Sequence, residues 1–385
     1  MLIPYGRQYI DEEDIESVVN TLRSDYLTQG PKISEFEAAL SKFCGSKYGV
    51  AVNSATSALH LSCLALGLKA GDYVWTSPNS FVASANCAIY CGAEIDFVDI
   101  DPKTYNISAD ELETKLISAE KEGKLPKIVI PVHFAGQPCD MQKIHNLSKK
   151  YGFYIIEDAS HAIGSTYFNT KTGSCIFSDI TVFSFHPVKI ITTGEGGFVT
   201  TNCSDVYKKI SLLRSHGVTR DFELLENKSE GSWFYEQKEL GFNYRITDIQ
   251  ASLGISQLKK LDSFISKRRN IARIYNNSIE NSLIVKPYNQ KNIVSSMHLY
   301  PITLNLGALS VDRKEVFNYF IKNGVAVNVH YIPIHVQPFY KKLGFKIGDF
   351  PIAEDFYSKA ISLPIFPSLK IEDQLKIIEL VNKIE

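Results

Sequence analysis

The sequence predicts an α/β fold, with a large domain built around a mostly parallel central sheet and a smaller C-terminal α/β domain. Short apolar runs alternate with helical patterns between about residues 48 and 205, which is typical of parallel strands covered by helices. After residue 245 a long amphipathic helical pattern replaces this alternation. The length of 385 residues also allows more than one hydrophobic core.

The strands of the large domain are predicted from apolar runs between turn residues. They are Tyr48–Val52, Tyr73–Thr76, Glu94–Val98, Ile128–His133, Tyr154–Glu157, Ile180–Phe185 and Phe198–Thr201. Helices between them are expected at Thr56–Leu68, Ser80–Cys91 and Met141–Tyr151. Because parallel sheets of this kind bind ligands at the carboxyl ends of their strands, we expect the functional site there.

After residue 245 we expect one long helix, Thr247–Ile279, that leads out of the large domain. The elements predicted for the smaller unit are strand His298–Leu304, helix Asp312–Asn323, strand Val325–Tyr331, and helices near Glu354–Ile361 and Glu372–Ile384. A helix at Asp11–Leu22 is expected to pack with this unit. The predicted division is an N-terminal segment 1–30, a large domain 31–245, and the linking helix with the small domain 246–385.

The composition argues against nucleic acid and membranes as partners of this protein. The formal net charge is −1 and the pI about 6.8, so no strong field would attract nucleic acid or an anionic membrane. No apolar run is long enough to span a bilayer, and the N-terminal residues lack the features of a signal peptide. We therefore expect a soluble, cytoplasmic protein with a small-molecule partner.

The seven scattered cysteines lack the spacing of zinc ligands, so no metal site is expected.

Lys189 and Asp158 are the main candidates for chemistry. Lys189 lies between an apolar strand and a glycine-rich segment, 193–197, where partial burial would lower its pKa and make its amine a better nucleophile. Asp158 ends a buried strand, where a carboxylate needs a cation or a donor. Pyridoxal phosphate (PLP) requires an amine for its aldehyde and an acid beside its ring nitrogen. A solvated lysine and a capping aspartate are the alternatives.

Other polar groups could complete such a site. Asn53–Ser57 follows a strand and opens a helix, so its N–H groups and hydroxyls favour an anion such as a phosphate, and Ser184 could add another hydroxyl. His161 could donate to a ring substituent, and Phe81 could stack on a flat ring. The simpler alternatives are a helix cap at 53–57, a packed polar histidine and a core aromatic residue.

Seven motifs occur in a characteristic order. They are Asn-Ser-Ala-Thr-Ser-Ala-Leu (53–59), Gly-Ala-Glu-Ile-Asp-Phe-Val-Asp-Ile-Asp (92–101), Glu-Asp-Ala-Ser-His-Ala (157–162), Ser-Phe-His-Pro-Val-Lys followed by Gly-Glu-Gly-Gly (184–197), Arg-Ser-His-Gly (214–217), Gly-Phe-Asn-Tyr-Arg (241–245) and Val-His-Tyr-Ile-Pro (329–333). From about residue 3 to 380 the chain resembles the fold-type I, PLP-dependent sugar-nucleotide aminotransferases. Leu-Thr-Gln-Gly (27–30) and Ala-Glu-Asp-Phe-Tyr (353–357) are similar to the branch that acts in pseudaminic acid synthesis.

The resemblance implies a role for each matching position. Lys189 would form the Schiff base, Asp158 would contact the pyridinium nitrogen and His161 would lie near the 3-hydroxyl group. The other cofactor-binding positions implied are Ala55, Thr56, Phe81, Ser184 and, from the neighbouring subunit, Asn243. The substrate-binding positions implied are Tyr5, Asp25, Tyr26, Leu27, Thr28, Arg245, Asn328, Val329, His330 and Tyr331.

The implied activity is transfer of an amino group from L-glutamate, through PLP and pyridoxamine phosphate (PMP), to C4 of a UDP-linked 4-keto-6-deoxy-N-acetylhexosamine. The other product would be 2-oxoglutarate, and the enzyme would be a homodimer with shared active sites. One alternative is another UDP- or dTDP-linked keto sugar, aminated at C3 or C4. Others are a PLP-dependent sugar dehydratase, in which histidine commonly replaces the lysine, and a catalytically silent PLP-binding regulatory protein.

Overall fold

The computed structural model describes residues 2–228, 230–288 and 290–385. The α-helices in these residues are α1 (Glu12–Leu22), α2 (Pro31–Cys44), α3 (Ala55–Ala65), α4 (Ala83–Tyr90), α5 (Ala109–Glu122), α6 (Met141–Tyr151), α7 (Ser204–Arg214), α8 (Asp248–Lys259), α9 (Leu261–Ser278), α10 (Arg313–Lys322), α11 (Pro338–Lys341), α12 (Pro351–Lys359) and α13 (Ile371–Asn382). The strands are β1 (Tyr48–Val52), β2 (Tyr73–Thr76), β3 (Glu94–Phe97), β4 (Ile128–Ile130), β5 (Tyr154–Asp158), β6 (Thr166–Tyr167), β7 (Thr170–Lys171), β8 (Ile180–Ser184), β9 (Gly197–Thr201), β10 (Val218–Thr219), β11 (Glu236–Gln237), β12 (Ile284–Val285), β13 (Ile293–Val294), β14 (Tyr300–Leu304) and β15 (Ala360–Leu363).

A seven-stranded sheet forms the centre of the large domain, with strand order β1-β9-β8-β5-β4-β2-β3. Only β9 runs antiparallel to its neighbours in this sheet, so the prediction of a mostly parallel α/β sheet is confirmed. The predicted strands lie within two residues of the observed ones, except that β4 stops at Ile130. Pro131 follows Ile130 and has no N–H to continue the ladder.

Helices cover both faces of this sheet. Alternate strand residues point to opposite faces, so each strand contributes side chains to two cores. Val50 and Val182 belong to a core shared with α3, α4 and α7. Their neighbours Ala51 and Phe183 lie in a core shared with α2, α8 and α9. Further along that second face, α5 and α6 pack on Val129 and its neighbours. Near-continuous apolar strands are expected for a sheet buried on both sides.

The C-terminal part of the chain has its own core. The sheet β12-β14-β15 packs with α9, α10 and α13 around residues such as Tyr300, Phe320 and Ile377. The helix predicted near Glu354–Ile361 is wrong at its end, because α12 stops at Lys359 and residues 360–363 form β15. Those four residues are all buried, and a short apolar run fits a buried strand as well as a helix.

The predicted strand Val325–Tyr331 is not a continuous strand. Val325 forms an isolated bridge with Ile3, and Asn328 forms one with Ser362. The peptide bond between His330 and Tyr331 is cis. This irregular segment brings its side chains to the carboxyl edge of the large sheet.

The long helix predicted over Thr247–Ile279 is divided at Lys260 into α8 and α9. The prediction that α1 packs with the small unit is also wrong, because α1 lies on α8. The hydroxyl of Ser17 donates to the carbonyl of Ser252 at 3.0 Å. Lys260 forms an ion pair with Asp14 at 2.9 Å, so the residue at the break between α8 and α9 also holds α1 in place.

The described residues contain neither a candidate membrane span nor a candidate metal site. None of the helices in the described ranges has both the length and the apolar character needed to cross a bilayer. Within the same ranges, no group of three or more histidine, cysteine, aspartate or glutamate side chains has an arrangement suited to a metal ion.

Candidate active site

A cavity of about 590 Å³ opens at the carboxyl ends of the parallel strands. This volume lies within the usual range for a small-molecule site. The predicted site residues that line it are Tyr5, Ala55, Thr56, Phe81, Asp158, His161, Ser184, Lys189, Asn328, Val329, His330 and Tyr331. The structure therefore brings together residues that are up to 326 positions apart in the sequence.

The start of α3 forms one end of the cavity. Ser54 caps this helix by accepting the N–H of Ser57 at 3.1 Å. The N–H groups of Ala55 and Thr56 precede the intrahelical hydrogen bonds, so they are available as donors to an anion, and the helix dipole favours that anion. Ser184, the last residue of β8, adds a hydroxyl at the same edge of the sheet.

Asp158 is the last residue of β5 and is 5% exposed. Its Oδ2 accepts the hydroxyl hydrogen of Ser84 at 2.7 Å, and its Oδ1 accepts the N–H of Ser160 at 3.1 Å. A buried carboxylate needs such donors because its hydration has been lost. Each carboxylate oxygen can accept two hydrogen bonds, so Asp158 retains capacity for a further donor in the cavity.

Lys189 lies in the turn that connects β8 to β9, where its N–H donates to the carbonyl of His186 at 2.9 Å. The side chain is half-buried. Burial lowers the pKa of Lys189 to about 8, and the nearby Asp158 carboxylate partly opposes this shift. The neutral, nucleophilic fraction of its amine near neutral pH is therefore much larger than that of an ordinary lysine.

His161 contacts the segment that carries Tyr331. Its Nε2 lies 3.0 Å from the Tyr331 hydroxyl, and the two rings are stacked with an interplanar angle of 20°. Burial lowers the pKa of His161 well below its ordinary value, and the charge of Lys189 adds to this effect. His161 is therefore neutral at physiological pH. Its Nδ1 is buried without a hydrogen-bond partner in the described part of the chain.

His330 is also held neutral. Burial lowers its pKa to about 3, with a further contribution from Lys189. The Asn328 amide nitrogen lies 3.3 Å from His330 Nε2, and an amide nitrogen can only donate. The ring hydrogen is therefore on Nδ1, which donates to the Ser362 hydroxyl at 2.9 Å. These bonds fix the segment 328–331 beside the cavity.

Six predicted site residues do not line the cavity of the single chain. The segment Asp25–Thr28 is exposed and lies over the start of α8, where the Leu27 carbonyl accepts the N–H of Asp248 at 3.1 Å. Asn243 is exposed, and its backbone forms an isolated β-bridge with Ser215. The backbone of Arg245 forms another with Val52, next to the segment that opens α3.

Several lining residues were not predicted. Ser80, Ser84 and His298 are buried in the wall, and Glu195 lies at its rim. His298 packs on His161 with ring centroids 4.3 Å apart. The two serines look like ordinary polar residues at the start of a helix, so their contacts become visible only when α4 is placed beside β5. Glu195 belongs to the glycine-rich segment 193–197, and this was the one sign in the sequence that it could lie near the site.

The groups in this cavity fit PLP. The N–H groups at the start of α3 and the Ser184 hydroxyl would hold its phosphate. Asp158 would hold the ring nitrogen, and Lys189 would bind the aldehyde carbon. Phe81 lines the cavity and is 61% exposed in the single chain, and it would stack on the ring.

Known proteins resemble this chain along nearly its whole length. A transaminase of Campylobacter jejuni subsp. jejuni serotype O:23/36, named UDP-4-amino-4,6-dideoxy-N-acetyl-beta-L-altrosamine transaminase, is 39% identical over 97% of this chain and 94% of its own. The structure of Helicobacter pylori PseC, an aminotransferase involved in the biosynthesis of pseudoaminic acid, superposes with a TM-score of 0.90. It is 34% identical and covers 100% of this chain and 99% of its own.

A third relative bears on the cofactor. The putative sugar aminotransferase Spr1654 of Streptococcus pneumoniae has structures in a PLP form and a PMP form, each with a TM-score of 0.89 and 33% identity. Each covers 99% of this chain, and this chain covers 97% and 98% of the two. The family description that matches residues 8–382 is the DegT/DnrJ/EryC1/StrS aminotransferase family. The chain therefore belongs to this family and is a PLP-dependent sugar aminotransferase of fold type I.

Proposed function

We propose that this enzyme transfers the amino group of L-glutamate to C4 of a UDP-linked 4-keto-6-deoxy-N-acetylhexosamine, a step of pseudaminic acid biosynthesis. The observation that carries this proposal is the convergence of Lys189, Asp158 and the start of α3 on one cavity that also contains Tyr5 and the segment 328–331. The relative named as an altrosamine transaminase supports the choice of sugar.

PLP supplies an electron-accepting ring that stabilises negative charge at the carbon from which a proton is removed. Lys189 binds the cofactor at rest and, once freed, moves the proton between substrate and cofactor as a general base and acid. Its lowered pKa suits this role, because both protonation states are accessible near neutral pH. Asp158 holds the ring nitrogen protonated, and we expect ping-pong kinetics because donor and acceptor use the same site in turn.

We place the sugar at the side of the cavity formed by segment 328–331, where neutral side chains line the wall. His161, His330 and Tyr331 stay uncharged at physiological pH, since burial lowers the pKa of both histidines and raises that of Tyr331. Uncharged donors and acceptors suit the hydroxyl, keto and amide groups of an N-acetyl sugar. The epimer with the opposite configuration at C5 would leave such buried groups unpaired, at a cost of about 1–3 kcal/mol each.

The proposed enzyme is a homodimer in which Asn243 reaches the phosphate site of the neighbouring subunit. Asn243 is exposed in the single chain and lies outside the cavity of its own subunit. Exposed large apolar side chains precede it in the sequence, among them Trp233 at 73% and Leu240 at 82% exposure. Apolar side chains exposed to this extent are typical of a protein interface, and a second copy is the simplest partner.

The substrate assignment is tested with purified enzyme and L-glutamate as donor. We expect kcat/KM for the UDP-linked sugar of L-arabino configuration to exceed by at least about tenfold that for its D-xylo epimer and for dTDP-linked 4-keto-6-deoxyglucose. Formation of the 4-amino sugar is followed by mass spectrometry, and 2-oxoglutarate by a coupled assay. A preference for either alternative sugar would contradict the assignment and leave the transamination chemistry intact.

A further inference from the structure

Ser84 makes a side-chain contact that connects α4 to the site. It lies in the first turn of α4 and donates its hydroxyl hydrogen to Oδ2 of Asp158 at 2.7 Å. Ser84 is 1% exposed and Asp158 is 5% exposed, so this bond is shielded from water. We infer that Ser84 is a positioning residue for the reaction, which holds the Asp158 carboxylate in the orientation needed by the ring nitrogen of the cofactor.

Ser80 extends this contact into a directed chain. The Oγ atoms of Ser80 and Ser84 are 2.7 Å apart. A serine hydroxyl has a single hydrogen, and Ser84 gives its own to Asp158, so Ser80 must be the donor to Ser84. The order is therefore Ser80 to Ser84 to Asp158. A hydroxyl that accepts a hydrogen bond becomes a stronger donor, so Ser80 strengthens the bond to the carboxylate.

The carboxylate of Asp158 is thereby held at both oxygens by different parts of the fold. The Ser160 N–H, in the turn after β5, binds Oδ1, and Ser84, from α4, binds Oδ2. Two donors fix the plane of the carboxylate and leave acceptor capacity on each oxygen. The ring nitrogen is then met by a group that does not have to reorient during the reaction, which is the basis of electrostatic preorganisation.

The position of Ser84 in the sequence adds to this role. The segment 80–84 carries Phe81, which lines the cavity wall, and also the two hydrogen-bonded serines, Ser80 and Ser84. Contacts to the face of the ring and to the partner of its nitrogen thus come from one short segment. A displacement of this segment would affect both contacts together.

The inference is tested by comparing the purified variants Ser84→Ala, Ser84→Thr and Ser80→Ala. Ser62→Ala is the matched control, since Ser62 is also fully buried and donates to a backbone carbonyl at 2.7 Å within α3. Three quantities are measured: the dissociation constant of PLP from its visible absorbance, the single-turnover rate with L-glutamate, and the thermal stability of the apo protein.

We expect Ser84→Ala to weaken PLP binding and to slow the single turnover, each by about tenfold, because a hydrogen bond to a charged group is lost. Ser80→Ala should have a smaller effect in the same direction, and Ser84→Thr should retain most of both quantities. Ser62→Ala should change apo stability only. A structural role alone would lower stability and leave PLP affinity and the turnover rate unchanged.

Two results would overturn the inference. The first is wild-type PLP affinity and turnover in Ser84→Ala, and the second is an equal loss of both in Ser62→Ala. If Ser84→Ala does not fold, Ser84→Cys replaces it, since a thiol of similar size is a weaker donor. Wild-type PLP affinity in Ser84→Cys would then also contradict the role.

Discussion

Gly197 lies directly against the backbone of Ser54. A Cβ atom on Gly197 would lie 2.3 Å from the Ser54 carbonyl oxygen and 2.6 Å from the Ala55 nitrogen. These are backbone atoms at the start of α3, so they cannot move aside without moving the proposed phosphate site. The first residue of β9 is thus glycine because strand and helix meet at van der Waals contact.

The first prediction concerns this contact. Gly197→Ala should destabilise the apo protein by about 1–3 kcal/mol and weaken PLP binding, because the added methyl group must displace the start of α3. Urea unfolding and PLP titration measure the two effects. Gly307→Ala is the control, since its nearest neighbour atom would be 3.8 Å away. Unchanged PLP affinity in Gly197→Ala would argue against a phosphate site at this helix.

The second prediction concerns Lys189. Lys189→Ala should abolish multiple turnover while the fold and the subunit assembly stay intact, because the residue both binds the cofactor and moves the proton. Steady-state assays together with circular dichroism and size-exclusion chromatography test this. Sustained turnover by the variant would exclude Lys189 from both roles.

The third prediction concerns pH. Because the pKa of Lys189 is lowered to about 8, the neutral fraction of its amine rises as pH increases through that value. The rate at which apo protein takes up PLP should therefore increase between about pH 7 and 9, and its midpoint should lie near 8 rather than near the usual lysine value. Stopped-flow absorbance measures this rate, and the Lys189→Ala variant provides the background.

The same experiment contains an internal check. The Asp158 carboxylate raises the pKa of Lys189 against the larger effect of burial. Asp158→Asn removes that charge with little change in size, so the midpoint should move to lower pH. A shift to higher pH would mean that Asp158 does not act on Lys189 through its charge.

The fourth prediction concerns the subunit interface. Lys189→Ala chains mixed with Asn243→Ala chains should recover activity, because each heterodimer then contains one site with an intact lysine and an intact asparagine. Random exchange of equal amounts should give about one quarter of wild-type activity. Subunit exchange is verified by native mass spectrometry of differently tagged chains. No recovery after proven exchange would place Asn243 in its own subunit or outside the site.

Much of the fold could be predicted from the sequence because buried parallel strands leave a strong local pattern. The bounds of β1 and β2 follow directly from apolar runs between turn residues. The break at Lys260 could not be predicted in this way, because the apolar pattern continues across it. It is stabilised by ion pairs of Lys260 with Asp11 and Asp14, which are far away in the sequence.

The residues of the candidate site also differ in how far the sequence alone could predict them. Lys189 and Asp158 have positions that indicate chemistry, since Asp158 ends a buried strand, Lys189 follows one, and the motifs around them resemble those of a known family. Ser84 has no such local sign. Its role depends on a contact across 74 positions of the sequence, and a serine in the first turn of a helix is common for reasons of capping. Contacts of this kind require the packed structure.

The pairing of β5 with β8 sets a length that a ligand must match. Asp158 lies opposite Val182, and Ser184 lies two residues further along β8. One strand spacing and two residue steps separate the Cα atoms of Asp158 and Ser184 by roughly 8 Å. If Asp158 holds the ring nitrogen and Ser184 the phosphate, as proposed, a ligand without a phosphate would reach the carboxylate but not the hydroxyl. The hydrogen-bond register of two strands would then favour the phosphorylated cofactor over free pyridoxal by its length.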